Sequence, residues 1–395
     1  LTRRGCPLSG LPSTAAVGGG SGEADRGDFR KGVQVLKYIE EYRSPRLLRG
    51  MLQRLEDVPP DMTVMEVCGT HTMAISRYGL RPLLSPRVDL VSGPGCPVCV
   101  TAERDLGKAF ALARMPDVIL TTFGDMMKVP GPGGTLVEVA SRGGKIKVVY
   151  SPLEALSLAE REPRSKVVFL GVGFETTAPS VAGMLIMARR KGVRNIFVLS
   201  LHKTVPPALR ALVNMEGFNV NGFILPGHVS AVIGSRAYSF IPEEYGIPCV
   251  IAGFEPADIL QAVYRLAEMR REGRAAVEIE YSRVVHPGGN ARAVEVMNTV
   301  FRKDDAEWRG LGIIPGSGLA LREEFEDFDA GRWDLELPEV VENKACRCGE
   351  VLTGRIRPPQ CPLFAGACTP EHAVGPCMVS TEGTCASYYH YEQQS

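Results

Sequence analysis

Val88-Asp89-Leu90-Val91-Ser92-Gly93-Pro94-Gly95-Cys96-Pro97-Val98-Cys99-Val100 is the stretch from which the fold of this chain can be read. An apolar run is stopped by Gly93-Pro94-Gly95, and two cysteines follow at i and i+3. The pattern predicts a strand that ends in a glycine turn and opens a helix. Behind the turn Leu106, Ala109, Phe110 and Ala113 recur at i, i+3, i+4 and i+7, the spacing of one helix face. At a helix start the unpaired amide N–H groups favour a thiolate, so Cys96 and Cys99 suit thiol–disulfide chemistry or soft-metal binding. Two cysteines merely buried in a turn would read the same way.

The rhythm recurs along the chain. Short β-branched runs at 63–67, 118–121 and 146–150 lead into Cys68-Gly69-Thr70-His71, Phe123-Gly124-Asp125 and Ser151-Pro152. After a charged linker at 161–165, runs at 167–170, 196–199, 223–225 and 249–252 follow. They lead into Gly171-Val172-Gly173-Phe174-Glu175-Thr176-Thr177, Leu201-His202-Lys203, Pro226-Gly227-His228 and Gly253-Phe254-Glu255. Continuous apolar strands alternating with helices predict an α/β fold of parallel sheets covered on both faces.

The order of these runs predicts two similar parallel-sheet α/β domains, at 61–160 and 161–275. A third, cysteine-rich iron–sulfur domain is expected at 276–395, with helices at 30–60 packing on it. Within that third part the pattern suggests a strand at 277–285, a helix at 291–301 and a glycine-rich loop at 310–321. Residues 1–29, rich in Gly, Ser and Pro, read as a disordered extension.

Lysine plus arginine equals aspartate plus glutamate at 45 each, so no bulk field draws in nucleic acid or an anionic membrane. No apolar run approaches the roughly 18 residues of a membrane span, and no signal-peptide core follows Arg3 and Arg4. A cytoplasmic location is the expectation. Eleven cysteines in a reducing compartment point to metal or redox chemistry rather than structural disulfides.

In parallel α/β sheets ligands bind at the carboxyl ends of the strands. Cys68, His71, Cys96, Cys99, Glu175, His202 and His228 all sit at such ends, which places the expected site between the two α/β domains. His71 stands three residues after Cys68 and can activate it as a nucleophile. Equally, Cys68 can ligate a soft metal, or both can be structural. Glu175, Asp125, His202, Lys203 and His228 are candidates to orient a substrate or move protons. Gly171-Val172-Gly173 is no dinucleotide fingerprint, because Thr176 stands where the third glycine belongs, and no phosphate loop occurs.

The tail holds Cys346, Cys348, Cys361, Cys368, Cys377 and Cys385, six of the eleven cysteines. Structural zinc takes paired knuckles. Here the intervening gaps are one, twelve, six, eight and seven residues, and no knuckle pair occurs. Widely spaced thiolates around one centre fit a four-cysteine iron–sulfur cluster better.

With these segments in hand, the sequence resembles the HypD family of hydrogenase maturation factors from about Lys31 to Tyr391. The resemblance is carried by Cys68-Gly69-Thr70-His71-Thr72, Gly93-Pro94-Gly95-Cys96-Pro97-Val98-Cys99 and Gly173-Phe174-Glu175-Thr176-Thr177-Ala178-Pro179. It continues through Leu225-Pro226-Gly227-His228, Trp308-Arg309-Gly310-Leu311-Gly312 and Met378-Val379-Ser380-Thr381-Glu382-Gly383-Thr384-Cys385. It implies three domains, the last carrying a [4Fe–4S] cluster. It also implies work with a small HypC-type chaperone and a HypE-type cyanide donor on the Fe(CN)₂CO unit of [NiFe] hydrogenase. By the same resemblance Cys68 would hold the transient iron together with a partner cysteine, and Cys96 and Cys99 would be a redox dithiol. Cys348, Cys361, Cys368 and Cys385 would hold the cluster, with Cys346 and Cys377 as the other tail thiols. Two readings compete: an iron–sulfur-linked protein disulfide reductase, and a zinc-tailed interaction protein.

Overall fold

The computed structural model describes residues 41–56, 61–337 and 343–392; the expected extension at 1–29 lies outside them. Nine short strands, most of them apolar and buried, build two parallel sheets among the described residues. One has the order β2-β1-β7-β8-β9 and the other β4-β3-β5-β6. The first is formed by β1 (Met62–Glu66), β2 (Val88–Ser92), β7 (Gly222–Pro226), β8 (Cys249–Ala252) and β9 (Val277–Ile279). The second is formed by β3 (Val118–Thr122), β4 (Ile146–Val148), β5 (Lys166–Gly171) and β6 (Ile196–Ser200). Every pairing in both is parallel, as the unbroken apolar runs predict.

The grouping differs from the sequential division at 161–165. β1 pairs with β7, Val64 opposite Gly222 and Glu66 opposite Ile224, although well over a hundred residues separate them. The chain therefore leaves the first sheet after β2, builds the whole second sheet, and returns. Apolar parallel strands carry no mark of their neighbour, so chain order is a poor guide to pairing.

The region expected as a third domain is likewise divided. β9 closes the first sheet against β8. The helix Ala291–Val300 packs on the helix Ala178–Lys191. Its Met297 and Val300 join Val167, Phe169 and Val198 in the core of the second sheet. Residues 310–321, expected as a loop, instead supply β11 (Gly312–Leu321), which pairs antiparallel with β10 (Phe301–Trp308). The helix Pro45–Leu55 lies on the helix Pro256–Arg271, with Leu55 in the first sheet's core beside Leu266 and Met269, rather than on the tail. The tail from 343 is loop-rich and ends in the helix Thr384–Tyr391, which lies on the helix Gly69–Arg77. Arg81 fastens it, stacked 4.5 Å from the Tyr388 ring and ion-paired to Glu392.

Each sheet has one point where consecutive connections run to opposite sides. In the first it lies between β1 and β7, in the second between β3 and β5. Such switch points leave a crevice at the strand ends. Cys68 follows β1 and His228 follows β7; Asp125 follows β3 and Glu175 follows β5.

Candidate functional site

Cys68 is the N-cap residue of the helix Gly69–Arg77, in extended backbone at φ −149°. It is buried, and its thiol is pushed up to about 12, by burial first and then by the charge of Glu382. Beneath it Glu66 is wholly buried; one carboxylate oxygen accepts from the Cys68 amide at 3.1 Å, the other from the Thr72 hydroxyl at 2.5 Å. Burial, opposed by these hydrogen bonds, lifts the Glu66 carboxyl to about 7.

His71 is also buried. Its Nε2–H donates to the Gly253 carbonyl at 2.8 Å, which leaves Nδ1 as an unpartnered lone pair. Burial lowers its pKa to about 4, so the ring stays neutral. Phe254 lies between two imidazoles, its centroid 4.8 Å from His71 and 4.1 Å from His228. From the tail, Glu382 accepts from the Thr70 hydroxyl at 2.6 Å. Three strand ends and the tail thus meet around Cys68.

The C-x-x-C turn closes on the same point. Cys96 caps the short helix Pro97–Val100, accepting from the Cys99 amide at 3.3 Å. The two sulfurs are bonded as a disulfide with Cα atoms 5.3 Å apart. The Gly69 amide donates to the Gly95 carbonyl at 2.9 Å, and a Cβ on Gly95 would sit 2.5 Å from the Cys68 Cα. Only glycine permits this approach.

Behind the disulfide, the turn Pro376–Met378 packs on the helix Pro97–Val100. All six tail cysteines line one apolar pocket with Val351, Leu363, Phe364 and Met378. Within it the Cys385 amide donates to the Cys377 sulfur at 3.4 Å and the Val374 amide to the Cys368 sulfur at 3.3 Å. Cys96, Cys99, Cys348 and Cys377 belong to one continuous core. Among the described residues no three of His, Cys, Asp or Glu are drawn up tightly enough to hold a metal ion. No described helix is long and apolar enough to cross a membrane.

Comparison with known proteins decides the family. Residues 46–392 match the HypD family, described as "Hydrogenase formation hypA family". The chain belongs to the HypD family. It is 42% identical over 369 residues to the hydrogenase maturation factor HypD of Escherichia coli (strain K12), covering 91% of this chain and 99% of that protein. It is 44% identical over 370 residues to HypD of Azotobacter vinelandii (91% and 98%) and 44% identical over 370 residues to HypD of Rhodobacter capsulatus (90% and 98%).

Within this HypD chain, Cys68, His71, Cys96, Cys99 and His228 share the crevice. Glu175 is tied to the start of the helix Val205–Val213. One of its carboxylate oxygens accepts from the Val205 amide at 3.0 Å while the other is buried and unpartnered, and burial raises the carboxyl to about 7. Tyr238 is buried, accepts from the Ser230 hydroxyl at 3.4 Å, and keeps its hydroxyl proton through burial first and then the charge of Glu175. His202 turns elsewhere. Its ring lies against Phe301 of β10 at 5.5 Å and its Nδ1 meets the Ser200 hydroxyl at 3.1 Å, so its contacts are with the hairpin. Lys203 joins it there, donating to the Glu307 carbonyl at 2.8 Å.

Sequence reasoning missed Glu66, Glu382, Tyr238 and Phe254. Three of them left a signal: Glu66 is a carboxylate set between Met65 and Val67 at a strand end, Phe254 follows a strand run, and Glu382 lies in the tail motif.

Proposed function

We propose that this chain is a hydrogenase maturation scaffold, on which an iron carrying cyanide and carbonyl ligands is assembled as cargo in the reducing cytoplasm. A small HypC-type chaperone shares the iron and a HypE-type partner delivers cyanide. The observation that carries the reading is that the Cys96–Cys99 disulfide backs onto Cys68 through the Gly95 turn and shares one continuous core with Cys348 and Cys377 of the tail pocket.

Cys68 suits a ligand better than a nucleophile. His71 keeps a free lone pair on Nδ1, yet that nitrogen accepts no hydrogen bond from the Cys68 thiol. The carboxylate of Glu66 accepts the Cys68 amide rather than its thiol. A free thiol held as high as this one resists ionisation, but iron displaces the proton outright, because a coordinated sulfur is a thiolate. Thiolate is also the soft donor that low-spin iron with cyanide and carbonyl ligands favours.

Thiolate is the donor a four-iron cluster takes, and the tail supplies it. Six thiols face one apolar pocket where four are needed, and Cys348, Cys361, Cys368 and Cys385 would hold it. Such a cluster supplies electrons one at a time. The Cys96–Cys99 disulfide takes up two electrons and two protons to become two thiols and gives them back when it re-forms, which makes it a two-electron store beside the crevice. Cys96 and Cys99 are 3% and 0% exposed. A protein substrate cannot reach sulfurs this deep, which favours an internal relay over a disulfide reductase.

The test is the anaerobically purified chain, with iron, zinc and acid-labile sulfide counted beside its electron paramagnetic and Mössbauer spectra. Four irons and matching sulfide are expected. Stoichiometric zinc without sulfide would overturn the cluster.

A further inference from the structure

Trp308-Arg309-Gly310-Leu311-Gly312, the turn between β10 and β11, has no part in the assembly described above. Its arginine stands between the two redox elements. The Arg309 amide donates to the Val100 carbonyl at 2.9 Å, its Nε to the Thr101 carbonyl at 3.2 Å and its Nη1 to Glu103 at 3.1 Å. These three bonds pin it to the turn that leaves the disulfide. On its other side Gly310, at φ +82°, lies against Gly349, where a Cβ would meet the Gly349 carbonyl at 2.8 Å. Gly349 follows Cys348.

The guanidinium is only 14% exposed, and its Nη2 is buried with no hydrogen-bond partner. A buried charged donor left unpaired is costly and normally faces an anion. Cys346 and Cys348, which stand just before Gly349 in the chain, are the groups on the tail side able to carry that charge.

We propose that Arg309 is a positioning residue whose charge and free Nη2 set the reduction potential of the tail centre relative to the neighbouring disulfide. This rests on the four-iron reading of the pocket. An electron entering that pocket adds one negative charge in a medium of low dielectric, and a fixed cation beside it stabilises the reduced state. Glu103, paired to the same guanidinium, partly neutralises it. Removing either charge should therefore move the potential, in opposite directions.

The experiment uses the full chain purified anaerobically, titrated with dithionite and redox mediators under electron paramagnetic detection, with iron and sulfide counted for each variant. Arg309→Gln should keep its iron and sulfide and shift the midpoint to lower potential. Arg309→Lys should stay nearer the wild type, and Glu103→Gln should shift upward. A cluster of normal content whose midpoint is the same in Arg309→Gln, Glu103→Gln and the wild type overturns this inference and leaves the cluster reading standing. Wild-type chain that holds no iron and sulfide overturns both. If Arg309→Gln does not fold, Glu103→Gln decides by the sign of its shift: upward supports the proposal, unmoved or downward refutes it.

Discussion

Gly95→Ala tests the crevice at its tightest point. The new Cβ would lie 2.5 Å from both the Cys68 Cα and the Val67 carbonyl carbon, and closer still to the Cys68 amide nitrogen. None of these is a flexible side-chain end. Val67 is held from the far side by its bond to the Ile224 carbonyl at 3.2 Å, and the Gly93 amide is tied to the Glu66 carbonyl at 2.7 Å. Neither loop can retreat without losing such bonds.

Overpacking costs typically 1–3 kcal/mol, so a clash with fixed backbone belongs near about 3. The Gly69-to-Gly95 hydrogen bond adds about 1 kcal/mol if it breaks. At about 2 °C per kcal/mol for a chain of this length, melting should fall by roughly 6–8 °C. Displacing Cys68 from the disulfide by about 1 Å should cost assembly more, on the order of a hundredfold. Differential scanning fluorimetry reads the first effect; the iron cyanide and carbonyl infrared bands of the partner complex read the second. Gly50→Ala is the control. With nothing within 4 Å of its Cβ and a position inside the helix Pro45–Leu55, it should stabilise by about 1 kcal/mol. A Gly95→Ala protein that melts with the wild type and gives full bands would refute the close approach on which the crevice depends.

Cys68→Ser should leave the fold and the tail iron in place while abolishing those infrared bands, because a hydroxyl is a hard donor; bands at wild-type intensity would remove Cys68 as the ligand. Cys96 and Cys99 should disappear together in a redox titration read by alkylation after a denaturing quench, and thiols that never pair at any potential would exclude the relay. Glu175 has its folded pKa raised to about 7 by burial, above the unfolded value. The folded state therefore holds the proton more tightly, and the stability this brings is complete below the unfolded pKa and lost as pH rises through about 7. Glu175→Gln should gain on the wild type by up to about 3 kcal/mol between about pH 5 and 8 in urea melts, and parallel profiles would count against it. His202 runs the other way. Burial, then the charge of Lys203, lowers it to about 3, so its contribution holds above the unfolded value of 6.5 and falls as the solution is acidified below it. His202→Gln should flatten that acid limb.

What the sequence determined by itself is local. Strand runs ending in glycine turns, the cysteines at those ends and the helix periodicity behind them are properties of neighbouring residues. They were legible as an α/β fold with chemistry at the carboxyl edges. The family motifs were legible for the same reason, since each is a short run bound to one strand end. Tertiary structure decided the rest. β1 chose β7 rather than a neighbour in chain order, since buried parallel strands of Val, Ile and Leu present nearly the same surface and only the packing of helices around them selects partners. Residues 312–321, glycine-rich and loop-like in isolation, became β11 because β10 offered a ladder and the core of the second sheet took Leu319 and Leu321. His202 sits at a strand end as faithfully as His228, yet the hairpin covers one and the crevice opens on the other. Which strand ends face each other depends on contacts between residues far apart in the chain, and no local pattern of side chains encodes those.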